Sequence, residues 1–563
     1  MFGRLTPATR RTLCARRIAT VLLAVAALGP VSATAESQSS RPRLVVLIVV
    51  DQLRYDLLAR YRPHFVRDGF ERFVADGATY TRARYLHAAT DTCPGHAVIA
   101  TGSWGKNNGI VANRWYDRGR QRDVECAGDS RAAVSKFVLR PMIGDVIAPA
   151  GQGAGRVVAV SGKRGSALIL GGARGAAYWP DQQGDFVNDG RERLPKWLVA
   201  FNHGDKADSY FGHSWKRLLP DAAYAELGAG SLPSSLRVGK SAADAAFHDA
   251  LQATPFADEI LAALAAAAIR GERLGEDGDT DLLAISFSAA DVVGHRYGPD
   301  SPESMDTIVR LDRQLARLLQ TVDAEVGLRH SVVVLTADHG IAPVPEDASR
   351  HAWGKEARRL TEPALTAAAE RAFTNRYGAA PGKRWIALQS FPNFYVDKSA
   401  IQAKGIARED AERIVADAVE SYPGIRRAVT RTKLLREREV QRAGGTVADP
   451  AALNSFHPAR SGDVMYMLDR YAVMTEEGSN HGSDWSYDTR VPLMWLAPGI
   501  PPGRYHQSAS PADIAPTLYA MLGIDAPATD GRVLSEMLKA TERKPGGVKT
   551  GGREQEPASA RER

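Results

Sequence analysis

The chain has 563 residues, of which 44% are hydrophobic and 24% charged, with three cysteines and a formal net charge of +7. That length suits one large core with insertions, or two to three domains. The charge does not mark a nucleic-acid binder: residues 1–35 carry five Arg and no acid, which leaves +2, and residues 541–563 hold six basic and four acidic side chains, so the core is near neutral and any pull on phosphate is local.

Taken in chain order, the first segment reads as a signal peptide. Arg4, Arg10, Arg11, Arg16 and Arg17 precede an apolar stretch from Ile18 to Leu28, and Ala33-Thr34-Ala35 follows. This pattern predicts cleavage after Ala35 and a periplasmic or secreted protein. The apolar run is shorter than the ~20 residues a membrane span needs, so no stable membrane anchor is expected. Residues 36–42 read as a polar linker before a catalytic region over 43–540. Runs at 44–50, 157–161, 282–287, 331–336 and 491–497 are short, rich in Val, Leu and Ile, and lack alternation, as buried parallel strands do. Helical patterns at 257–269 and 304–322 lie between them, which argues for an α/β sheet covered on both faces. Residues 114–250 and 345–475 interrupt the pattern and read as insertions or caps, and 541–563 as a disordered tail. Only Cys93 and Cys126 lie beyond residue 35; they form either one disulfide, closing a loop that contains Asn113, or two separate thiols.

Three of the apolar runs end in metal-binding side chains. The first ends at Asp51, the next leads into Asp291-Val-Val-Gly-His295, and a third into Asp338-His339-Gly340; Gly478-Ser-Asn-His481-Gly482 follows much later. Ligands gather beyond the carboxyl ends of strands in such sheets. Three carboxylates and three imidazoles suffice for two sites of three ligands each. Asp291 and His295 stand four apart, so on a helix they point to one side. Each piece alone is more often a cap or a coincidence; the set, repeated at strand ends, is specific. Thr92-Cys-Pro-Gly-His96 adds a hydroxyl on a turn-like segment. Two divalent cations and a hydroxyl nucleophile point to phosphoryl-type hydrolysis.

The segments Val50-Asp51, Thr92-Cys-Pro-Gly-His96, Ser288-Ala-Ala-Asp291-Val-Val-Gly-His295, Ala337-Asp338-His339-Gly340 and Asn480-His481-Gly482 resemble the alkaline phosphatase superfamily. Within it, the chain resembles the phosphate-irrepressible type with a threonine nucleophile, over most of residues 43–535. The resemblance implies an α/β fold, a three-layer α/β/α sandwich with inserted caps, and two zinc ions per chain. Asp291, His295 and His481 would hold the first, and Asp51, Asp338 and His339 the second, with Thr92 also contacting it. Thr92, rather than Thr90, would attack phosphorus and form a phosphothreonine, while His96 would pack or hydrogen-bond. Asn113 matches the family's donor to a phosphoryl oxygen. Monoester-selective members carry a Lys-x-Arg pair after a strand; here the stretch is Lys163-Arg164-Gly165, which makes Lys163 the stronger substrate contact and leaves Arg164 dependent on a backbone bend. The expected substrates are small phosphate monoesters, with nucleotides the only nucleic-acid-like ones. The rival within the superfamily is the nucleotide pyrophosphatase/phosphodiesterase branch, which lacks the cationic pair. A catalytically inactive binding protein is disfavoured, because all six ligands and Thr92 are present.

Overall fold

A nine-stranded sheet forms the centre of the computed structural model, which describes residues 41–538 apart from 129, 149–154, 205, 228–235, 243 and 350–356. The expected signal peptide with its cleavage point at Ala35, residues 36–40 of the linker, and the tail 541–563 lie outside the described residues. Across the sheet the strands run Gly503–Ala509, Ala78–Ala83, Leu493–Leu496, Ser331–Thr336, Leu44–Val50, Asp281–Phe287, Val157–Ser161, Ala176–Pro180, Phe186–Val187. Leu44–Val50 pairs in parallel with both neighbours, and Val157–Ser161 is parallel to Asp281–Phe287.

The continuous apolar runs follow from double-sided burial. Leu44, Val46, Ile48 and Val50 enter one core with the helices Pro255–Gly271 and Pro302–Glu325. Val45, Leu47 and Val49 enter a second core with Thr92–Thr101, Arg164–Gly171 and Ile514–Leu522 on the opposite face. Two helical layers therefore sandwich the sheet, as the resemblance implied.

Two expectations need correction. The run at 491–497 is not a parallel strand: Leu493–Leu496 pairs antiparallel with both Ser331–Thr336 and Ala78–Ala83. A strand buried on both faces carries the same unbroken apolar signature whichever way it runs, so composition does not report its direction. The stretch 114–250 is only partly an insertion, because Val157–Ser161, Ala176–Pro180 and Phe186–Val187 belong to the main sheet. Described residues within 345–475 add a second sheet. Ile386–Ser390, Asn393–Val396, Val464–Leu468 and Ile425–Thr430 form a separate antiparallel sheet, with Phe373, Trp385, Val415 and Tyr466 in its core.

Candidate active site

The carboxyl ends of three adjacent strands deliver the acidic residues. Asp51 follows Leu44–Val50 directly, Asp338 stands two residues beyond Ser331–Thr336, and Asp291 lies in the first turn of Ala289–Tyr297, just after Asp281–Phe287. Asp291 and His295 share one side of that helix, with His295 Nε2 3.2 Å from Asp291 Oδ1. His481 arrives from the far end of the chain, its Nε2 3.7 Å from the same oxygen. The result is two clusters, Asp291–His295–His481 and Asp51–Asp338–His339, each with donor atoms within 4.8 Å of one another.

The protonation pattern suits metal ligation. Nδ1 of His295, His339 and His481 lies 2.9 Å from the carbonyl oxygens of Ser479, Gly340 and Thr90, respectively. A carbonyl only accepts, so each Nδ1 donates its proton there, which turns Nε2 toward the carboxylates as the nitrogen available to a cation. Burial, then His339 and His295, pushes His481 well below the usual histidine value, which keeps it neutral. Asp51 is fully buried and neither of its oxygens accepts a well-aligned hydrogen bond. Burial, with Asp291 and Asp338 nearby, raises its carboxyl well above the usual range. Three carboxylates packed this closely call for cationic charge. The donor set, carboxylate oxygens and imidazole nitrogens in threes, is one that suits zinc.

Lys163 supplies one such charge from within the chain. Its Nζ lies 2.6 Å from Asp51 Oδ2, 2.5 Å from Asp291 Oδ2 and 3.5 Å from Thr92 Oγ1. Burial works against its charge, but Asp291 and Asp51 outweigh this and hold it above the ordinary lysine value. Arg164, the next residue, begins the helix Arg164–Gly171 and turns the other way, pairing with Glu125 at 2.7 Å where both are exposed. Lys163 is extended, and neighbours at such a strand-to-helix junction diverge.

Thr92 opens the helix Thr92–Thr101, capped by Asp91, and its Oγ1 lies 3.5 Å from His339 Nε2. The neighbouring hydroxyl of Thr90 is committed elsewhere, donating to the Ser483 carbonyl at 2.6 Å. Asn113 sits beside Thr92: its Oδ1 accepts from the Cys93 N–H at 2.7 Å and its Nδ2 donates to Asp91 at 2.6 Å. Cys93 and Cys126 form a disulfide with Cα atoms 6.3 Å apart, and the Cys126 N–H donates to the Asn113 carbonyl. The bridge thus ties the start of the Thr92 helix to the segment bearing Asn113. His96 is fully used, Nδ1 near the Thr92 carbonyl and Asp338 Oδ2, Nε2 against Ser286 Oγ.

Sequence reasoning missed Gln52 and Asp91. Asp91 joins Thr92 to Asn113 through both of its oxygens. Gln52 donates its side-chain amide to Asp291 and its main-chain N–H to Asp338. Neither belongs to a ligand pattern; the one available signal was adjacency to Thr92 and Asp51.

A family model, type I phosphodiesterase/nucleotide pyrophosphatase, matches residues 45–490. The chain belongs to that family. Within it, the chain is 31% identical over 527 residues to alkaline phosphatase PhoK of Sphingomonas sp., covering 88% of this chain and 91% of that one. It is 29% identical over 533 residues to alkaline phosphatase PhoV of Synechococcus elongatus, covering 89% and 94%. The crystal structure of wild-type alkaline phosphatase PafA superposes with a TM-score of 0.79 at 26% identity, covering 88% of this chain and 99% of that one.

Proposed function

We propose that the chain is a secreted, zinc-dependent alkaline phosphatase that hydrolyses small phosphate monoesters through a phosphothreonine on Thr92. The observation that carries this reading is the placement of one uncommitted hydroxyl, Thr92 Oγ1, within 3.5 Å of both a ligand-poised imidazole and the Lys163 ammonium. Asp291, His295 and His481 would hold one zinc ion, and Asp51, Asp338 and His339, with Thr92, the other. Bound zinc supplies Lewis acidity for the nucleophile and for the leaving-group oxygen.

The chain's own groups do the rest. Asn113 has a second amide hydrogen beyond the one given to Asp91, free to donate to a phosphoryl oxygen. Lys163 offers an ammonium on a flexible stem, suited to the second negative charge of a monoester. The names of the relatives PhoK, PhoV and PafA support the monoester assignment. Among the described residues no helix is long and apolar enough to cross a membrane.

One observation favours a second reading, phosphodiester or nucleotide pyrophosphate hydrolysis. Arg164 pairs with Glu125 away from Thr92, so of the two neighbouring basic side chains Lys163 alone faces the proposed phosphoryl site. The deciding experiment assays zinc-loaded protein on monoesters and diesters that share a leaving group. Monoester kcat/KM should dominate, and Thr92→Ala should abolish turnover while zinc content persists. Diester hydrolysis well above monoester hydrolysis would reject the phosphatase assignment, and a Thr92→Ala variant with near-normal rates would reject the nucleophile.

A further inference from the structure

Gln52 is the residue on which the two clusters meet. It follows Asp51 and is buried, and its φ of 69° lies in the left-handed region that side chains other than glycine seldom adopt. That unusual turn sends its two hydrogen-bonding arms to different clusters. The main-chain N–H donates to Asp338 Oδ1 at 3.1 Å, and the side-chain Nε2 donates to Asp291 Oδ1 at 2.7 Å. The oxygen so held is the one that faces His295 and His481, while Asp291 Oδ2 faces Lys163. Gln52 therefore sets the rotation of one carboxylate and anchors another.

The helix that carries Asp291 and His295 is shaped to admit this amide. A β-carbon placed on Gly294 would lie 1.8 Å from Gln52 Oε1, so only glycine leaves room there. Any larger side chain would push out the flexible end of Gln52, the part that bonds Asp291.

We infer that Gln52 is a positioning residue that bridges the two metal clusters, its main chain holding Asp338 and its amide holding Asp291, with Gly294 as the socket for that amide. The inference rests on the proposed zinc site. Hydrogen bonds to ligating carboxylates fix their orientation, and loss of such a partner typically weakens metal affinity by ~10–100-fold.

The test measures the two zinc dissociation constants of the full chain by competition with a chromophoric chelator, with near-UV circular dichroism as a check on folding. Gln52→Met keeps length and neutrality but cannot donate; Gly294→Ala leaves Gln52 in the sequence and displaces its amide. Each should weaken one zinc ion by about 10–100-fold and move the other by less than about threefold. The double variant should lose no more than the worse single one, because both remove one bond. A general packing defect would shift both constants together, which would refute the positioning role, and additive losses would refute Gly294 as the socket for the amide. Wild-type affinities in both single variants would overturn the inference while leaving the zinc site intact. A wild-type chain that takes up no zinc would instead overturn the proposed function on which it rests.

Discussion

Replacing Lys163 with methionine should separate monoester from diester chemistry. The ammonium lies 3.5 Å from Thr92 Oγ1 and its side chain is 28% exposed. At an effective dielectric of about 20, unit charges at that distance interact by ~5 kcal/mol. Much of this is already spent on Asp51 and Asp291, at 2.6 and 2.5 Å, so the net gain toward a substrate falls nearer the ~1.5–3 kcal/mol of a charged hydrogen bond. Since ~1.4 kcal/mol is tenfold in rate, monoester kcat/KM should drop about 10–100-fold. A diester carries one negative charge fewer and should lose less than about tenfold, so the monoester-to-diester ratio falls. Zinc content should hold or rise, because Lys163 competes with a cation for the same two carboxylates. Both rates are measured at saturating zinc with esters of a common leaving group. An equal fall for the two substrates would refute the assignment of Lys163 to the second charge of the monoester.

Chelation should lower the thermal midpoint, because Asp51, Asp291 and Asp338 then share Lys163 as their compensating lysine; added zinc should raise it with concentration, as calorimetry would read. Cys126→Ser opens a bridge across a sequence separation of 33 and should cost about 3–4 kcal/mol of stability in the chain-entropy view, seen as a lower denaturation midpoint. It should also raise KM, since the bridge holds Asn113 beside Thr92. Asp258, buried behind the Asp291 helix and accepting from the Ser288 and Ala289 N–H groups, is pushed up by burial to about 7 from an ordinary value of 3.8. A carboxyl raised on folding stabilises fully below its unfolded value, and that contribution is lost as pH rises through its folded value. Asp258→Asn should therefore match the wild type near pH 4 and exceed it by a few kcal/mol above about pH 7, provided zinc is held constant; parallel stability curves across that window would contradict the burial argument.

The main sheet and the two Asp–His clusters that could hold a metal were legible because each has a local chemical cause. A strand buried on both faces must be apolar at every position, and Leu44–Val50 is; a metal needs carboxylate and imidazole at strand ends, and Asp51, Asp291 and Asp338 stand there. The direction of Leu493–Leu496 was not legible, since hydrogen-bond polarity leaves no mark on side-chain composition. Val157–Ser161 was legible as a parallel strand, but Ala176–Pro180 and Phe186–Val187 beside it were not, because neighbours in the sheet are set by long-range pairing. Gln52 illustrates the deeper limit. Its role follows from a left-handed backbone and from an absent side chain at Gly294, 242 positions away, and neither is a property of the residue itself. Arg164 makes the converse point. Proximity in sequence suggested a partner for Lys163, yet the turn from strand to helix sends it to Glu125. Which of the two neighbouring cations faces Thr92 is thus decided by backbone direction over two residues.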